Sequence, residues 1–295
     1  MSERASTSDA AETLPAAGFF AERQPGRPGL ALFLNAGDPP LDVLKDLIRM
    51  LDEERIDCLE LAVPFPNSPT DGKVIRRSAK RALDAGMDLD TVLAFLADIK
   101  PHLRHIKIAL LVDWSHSIKG TPMPEFLGRV KVAGPHGVLV HGLPPRMRDE
   151  YYRAAREVGQ PIVTTCYASS EPQVLAEAAE HGTAYIYLVA HYGRSGDVAA
   201  PEPSALRPII ASLRSQTETP VAVGFGVKDR SHIDALDAIG ADAAIIGSTC
   251  VARIGAARMN RRDIVDDFRG LLVELGYAMP APPKPEAEPL TTAQS

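Results

Sequence analysis

Cysteine is scarce in this chain: Cys58, Cys166 and Cys250 are three residues, odd in number and far apart. None forms a CxxC pair or a zinc-type spacing, which argues against a disulfide framework and against a cysteine metal site. The histidines are scattered and form neither HxH nor HExxH, so no metal is expected from them. No run of about 18 apolar residues occurs, so no membrane-spanning helix is expected. The opening stretch MSERASTSDAAETLPAAGFF carries acidic residues and no apolar core, which argues against a secretory signal and for a cytoplasmic protein. Acidic residues outnumber basic ones, 38 to 32, and the net charge is −6, so no broad basic surface for a nucleic-acid backbone is implied. A GxSxG elbow is also absent, and no Ser/His/Asp triad is supported.

What is present is a regular alternation. Eight short apolar runs stand at Leu30–Leu34, Cys58–Val63, Ile106–Val112, Gly137–His141, Ile162–Cys166, Ala184–Ala190, Val221–Val223 and Ala243–Ile246. Between them lie amphipathic stretches of helical period, such as Leu41, Val43, Leu44, Leu47, Ile48 and Leu51. Strands that are apolar throughout, alternating with helices, imply a parallel sheet covered on both faces. Eight such units over about 250 residues predict an α/β fold, a closed (β/α)8 TIM barrel. An open nucleotide-binding sheet would place GxGxxG after the first strand, where this chain has Asn35-Ala36-Gly37-Asp38-Pro39-Pro40. The barrel is expected over residues 28–276. Residues 1–27 read as a mobile arm with one short helix around Ala16–Arg23. Residues 277–295, with five prolines from Pro280 to Pro289, read as a disordered tail.

Barrel chemistry sits at the C-terminal ends of the strands. Glu60 lies inside the second apolar run, where an unpaired carboxylate is costly and desolvation raises its pKa toward that of a general acid. The alternative is an ion pair with a Lys or Arg across the barrel. Asp71, in the loop that follows, reads either as the N-cap of the next helix or as a second carboxylate folded back over Glu60. Gly224-Phe225-Gly226 and Gly247-Ser248-Thr249 follow the seventh and eighth strands. They suit either two tight turns or a phosphate cradle of backbone N–H groups and a hydroxyl, with Gly196 as a third glycine. His191 to Asp197 reads as a lid or a connector. Tyr185 and Tyr187 are open between core and site.

The run Leu59-Glu60-Leu61-Ala62-Val63-Pro64-Phe65 followed by Asp71-Gly72 resembles the signature of the tryptophan synthase alpha chain family. The likeness continues through Phe33, Gly37-Asp38-Pro39, Tyr187-Leu188, Gly193, Ser195-Gly196, Gly224-Phe225-Gly226 and Gly247-Ser248, in the same order over residues 28–276. It implies an indole-3-glycerol phosphate lyase that works by retro-aldol cleavage, without metal or cofactor. Catalytic roles fall on Glu60, which protonates indole C3, on Asp71, which accepts from the indole N–H, and on Tyr187. Phosphate binding falls on Gly196, Gly226, Gly247 and Ser248. The pocket falls on Phe33, Ile75, Leu111, Leu139, Ser195 and Phe225. The partner the resemblance implies is a β-type subunit.

Departures cluster at the active face. Phe65-Pro66-Asn67-Ser68 replaces Phe-Ser-Asp-Pro, and Asp113-Trp114-Ser115 replaces a Tyr-x-Asn run. His141-Gly142-Leu143-Pro144 replaces Ala-Asp-Val-Pro, and Tyr192 stands where the family is small. They suggest a divergent member that acts alone or in a specialised indole pathway. The alternatives are an aldol-type lyase for another phosphorylated aromatic substrate and a non-catalytic allosteric partner.

Overall fold

The computed structural model describes residues 18–23, 26–190, 202–224 and 226–279. Among these, eight strands form one all-parallel sheet: β1 (Gly29–Asn35), β2 (Cys58–Ala62), β3 (Lys107–Asp113), β4 (Gly137–His141), β5 (Val163–Tyr167), β6 (Tyr185–Val189), β7 (Val221–Gly224) and β8 (Ala243–Ile246). Helices α1 (Leu41–Glu53), α2 (Lys73–Asp84), α3 (Leu89–Ile99), α4 (Met123–Ala133), α5 (Arg148–Val158), α6 (Pro172–His181), α7 (Arg207–Arg214), α8 (Arg230–Ala238), α9 (Ser248–Met259) and α10 (Ile264–Leu275) surround it. The strand order is β4-β3-β2-β1-β8-β7-β6-β5, and a single parallel bridge, Val138 to Ile162, joins the two ends. The molecule is therefore a (β/α)8 barrel with a thin seam between β4 and β5. Each predicted strand is found within two residues of its expected ends.

Alternation along the strands divides the interior into two cores. Leu30, Leu32 and Leu34 of β1 pack outward with Leu44, Leu47, Ile48 and Leu51 of α1. Ala31 faces the lumen with Cys58, Ala109, Val163, Ala222 and Ala243 of other strands. Small side chains leave the floor of the lumen hollow, and Phe19, Phe20 and Tyr185 fill it. The rings of Phe19 and Phe20 lie 5.1 and 5.5 Å from that of Tyr185. A Cβ on Gly29 would stand 2.7 Å from the Phe20 ring, and one on Gly137 would stand 3.3 Å from Phe19. Glycine at these two positions admits the plug. Burying each phenylalanine contributes about 2–3 kcal/mol.

This corrects two expected limits. Phe19 and Phe20, assigned to a mobile arm, are barrel floor, and the expected short helix does not extend over residues 19–22, which form bends and turns. Tyr277, assigned to the tail, is buried and donates its hydroxyl to the Pro28 carbonyl at 2.6 Å. Among the described residues, no helix is long and apolar enough to cross a membrane.

Candidate active site

Glu60 occupies the middle of β2, with Phe33 of β1 and Ala109 of β3 as its register partners. It is fully inside the barrel, 1% exposed, and no Lys or Arg reaches it among the described residues. Its Oε1 accepts a hydrogen bond from the Tyr185 hydroxyl at 2.6 Å, while Oε2 is buried without a partner. Burial pushes the carboxyl up to about 7, against the lowering effect of the Tyr185 bond. Glu60 is therefore a buried carboxyl held toward its protonated form, with one oxygen bonded to Tyr185 and the other without a partner. Tyr185 is the partner that sequence reasoning left undecided. Its spacing of two from Tyr187 puts both tyrosines on the lumen face, which is the signal that was available.

Asp71 lies in the loop between β2 and α2, and Gly72, not Asp71, is the N-cap residue of α2. The capping alternative therefore falls. Burial raises the Asp71 carboxyl above its ordinary range, opposed by a hydrogen bond with Ser68 and by the charges of His141 and Arg76. Tyr187 joins the two carboxyls. Its hydroxyl is raised by burial first and then by the fields of Glu60 and Asp71, so it remains a neutral donor. It leans over β7, where a Cβ on Gly224 would stand 2.7 Å from the tyrosine hydroxyl. Glycine at the end of β7 makes room for this side chain.

Among the described residues, four of the expected pocket residues lie on or beside the strands next to Glu60: Phe33, Ile75, Leu111 and Leu139. Leu139 and Ile75 are buried, and Phe33 and Leu111 are partly open. Leu111 and Leu139 are register partners on β3 and β4. A Cβ on Gly247 would meet Phe33 at 3.7 Å and Ile75 at 3.8 Å, which puts the start of α9 beside this pocket. Ser248 opens the 12-residue helix α9, so unpaired N–H groups and the positive end of a dipole face the same mouth. Gly226 adopts the left-handed conformation, φ +68°, in the loop after β7. The Thr249 hydroxyl ties α9 to that loop by donating to the Val227 carbonyl at 3.1 Å. Ser195, Gly196 and Phe225, with the expected lid, lie outside the described residues.

A cluster that sequence reasoning missed holds the loop carrying Asp71. Phe65, at the start of that loop, stacks on His116 with ring centres 5.4 Å apart and on His141 at 6.1 Å. His116 sits in a wide helical turn, Trp114–Ile118, directly after β3. Asp113 Oδ1 accepts from the Ser115 hydroxyl and from the His116 ring, each at 2.7 Å. Burial pushes the Asp113 carboxyl up, but these hydrogen bonds outweigh it and keep the group below its ordinary value. Ser115 and Asp113 meet the same ring nitrogen of His116, so the three do not form a nucleophile relay. Among the described residues, no three His, Cys, Asp or Glu side chains converge to hold a metal ion.

Comparison with known proteins follows this geometry. A sequence profile described as tryptophan synthase alpha chain matches residues 19–276. A tryptophan synthase alpha chain of Synechocystis sp. is 34% identical over 242 residues, covering 81% of this chain and 89% of the relative. One from Gloeobacter violaceus is 33% identical, covering 78% and 82%. Among solved structures, the tryptophan synthase alpha subunit of Pyrococcus furiosus superposes with a TM-score of 0.75 at 28% identity, covering 85% of this chain and 99% of that one. A chain of the Pyrococcus furiosus α2β2 complex gives 0.74 at 27% identity, with the same coverage.

Proposed function

The chain belongs to the tryptophan synthase alpha chain family, and from that membership we propose that it cleaves indole-3-glycerol phosphate to indole and glyceraldehyde 3-phosphate. The observation that carries the reading is Glu60: a buried carboxyl with a pKa of about 7, one oxygen bonded to Tyr185 and the other without a partner. In the proposed reaction the neutral Glu60 gives its proton to indole C3. The ring becomes an indolenine cation, and its N–H donates to Asp71, whose negative charge stands where positive charge develops. The side-chain hydroxyl next to C3 then returns a proton to Glu60 as the carbon–carbon bond breaks. The bond electrons restore the indole ring, the hydroxyl carbon becomes the aldehyde, and Glu60 ends in its starting state. Tyr187 positions the reacting end. Backbone N–H groups at Gly226 and Gly247, the Ser248 hydroxyl and Gly196 hold the phosphate.

The chain is read as competent without a partner subunit. The Asp71 loop is already held from within, by Phe65 on His116 and His141 and by Ser68 on Asp71. The Pyrococcus furiosus relative is described in an α2β2 complex with mutual activation, so the two cases are separable. Calorimetry with a β subunit is expected to show weak binding and little activation. Tight association with mutual activation would overturn independent action. The cleavage itself is tested by following indole release from indole-3-glycerol phosphate by the purified chain. Turnover that disappears in Glu60→Ala is expected. Equal turnover by the variant would remove Glu60 from the mechanism.

A further inference from the structure

One side chain of the pocket is unaccounted for by an indole ring. On β5, Val163 belongs to the lumen core, the Thr164 hydroxyl donates outward to the Ala178 carbonyl of α6 at 2.8 Å, and Cys166 belongs to the outer core. Thr165 therefore points into the barrel, and it is exposed although strand residues on either side are buried. It lines open space rather than packed core. Its hydroxyl makes no hydrogen bond among the described residues.

Its neighbours extend the pattern. Tyr187 is its register partner on β6. Counting on from the Val138–Ile162 bridge brings His141 of β4 to the same level across the seam, and Asp113 of β3 is the register partner of His141. The arc from β3 to β5 thus carries a row of polar side chains just above the apolar Leu111 and Leu139. Around the closed sheet, β5 stands three strands from β2 and three from β8. In the proposed reaction the reacting carbon lies at Glu60 on β2 and the phosphate at β7 and β8, a pose that would turn the far edge of the ring toward this arc. The glycerol phosphate is directed elsewhere.

We infer that the preferred substrate carries a hydrogen-bonding substituent, such as a hydroxyl, on the six-membered part of its indole ring, and that Thr165 recognises it. The inference rests on the lyase reading and names the substrate class of the same site. A plain indole would press a hydrocarbon edge against a hydroxyl that then loses water without gaining a partner. A pocket built to pair with a polar group discriminates against the analogue lacking that group far more strongly than an apolar pocket discriminates by size.

The test is the reverse condensation, with glyceraldehyde 3-phosphate and either indole or one of 4-, 5-, 6- and 7-hydroxyindole. A carbon–carbon bond forms between C3 and the aldehyde carbon, and the C3 proton is lost as the aldehyde oxygen gains one. At least one hydroxyindole is expected to exceed indole in kcat/KM by about tenfold or more. Thr165→Val is expected to bring that ratio to near one, and Thr165→Ser, which keeps the hydroxyl, to preserve it. Indole as the best acceptor, or a ratio that Thr165→Val leaves unchanged, would overturn the inference while leaving the lyase reading intact. Condensation of none of the five, together with no cleavage of indole-3-glycerol phosphate, would overturn the lyase reading and this inference with it.

Discussion

Asp38, just past the end of β1, and Glu60, in the middle of β2, are equally buried at 1% exposure. Their surroundings are opposite. Asp38 receives Arg81 through two nitrogens, at 3.0 and 2.5 Å, and Arg258 at 2.7 Å. These contacts bind the loop after β1 to α2 and α9, the two helices that flank the mouth. Glu60 receives one neutral hydrogen bond and, among the described residues, no cation. Burial therefore does not by itself mark a reactive carboxylate. What separates the two is whether the charge has been neutralised by neighbours or left to be neutralised by a proton. The bland alternative for a buried carboxylate, an ion pair, is realised at Asp38 on the rim and avoided at Glu60 inside the barrel.

Substitution should separate the two groups sharply. The largest effect is expected from Glu60→Gln, which is nearly isosteric but holds no transferable proton. Indole release should fall by about 10²–10⁴-fold, the usual contribution of a general acid, with folding retained. Asp38→Ala should do the reverse. It leaves two guanidinium groups without their carboxylate and should cost about 3 kcal/mol by denaturant unfolding, near the low end for breaking a buried pair because both arginines reach solvent. Catalysis by the folded fraction should survive.

The pH dependence gives a finer separation. Glu60 titrates near 4.5 when unfolded and near 7 when folded, so between these values the native protein holds a proton that the unfolded chain has released. Stability from this group is complete below about pH 4.5 and is lost as pH rises through 7, by about 3 kcal/mol in total. Glu60→Gln should remove that fall, making the variant more stable than the parent at pH 8 and little changed at pH 4. Activity that needs the protonated acid should decline only as pH rises through about 7, the folded value. The smallest effect is expected from Tyr185→Phe. Its hydrogen bond lowers the Glu60 pKa, so its loss should move the alkaline limb of the rate profile upward by less than about one pH unit. A downward shift would contradict the assigned direction of that bond.

The barrel was legible because both of its determinants are local. Apolar runs mark the strands, and a period of about 3.6 marks the helices. Glu60 was legible for a related reason, since a carboxylate inside an apolar strand breaks the local pattern. For Tyr185 the spacing from Tyr187 indicates the lumen face, but its partner is 125 residues away, so the sequence does not separate a core tyrosine from a bonded one. Phe19 and Phe20 were read as part of an arm because Pro25, Gly26 and Pro28 follow them. Their burial is decided by the smallness of residues on six different strands, which no window of sequence contains. The clasp of Phe65 with His116 and His141 escaped for the same reason, since it joins the ends of three strands. Thr165 carries no mark in the sequence that separates it from its strand neighbours, because its direction and exposure are set by the closed barrel.

The plug at the barrel floor also bears on how the chain is made. Phe19 and Phe20 are synthesised ahead of every strand, yet the socket that receives them needs Tyr185 of β6, Ala222 of β7 and Ala243 of β8. For most of translation two aromatic rings precede a half-built sheet with nowhere to bury themselves, a condition that favours association between nascent chains. Closing the floor is thus a late event that joins Phe19 and Phe20 to the last strand. A chain released before β8 would carry its own adhesive patch.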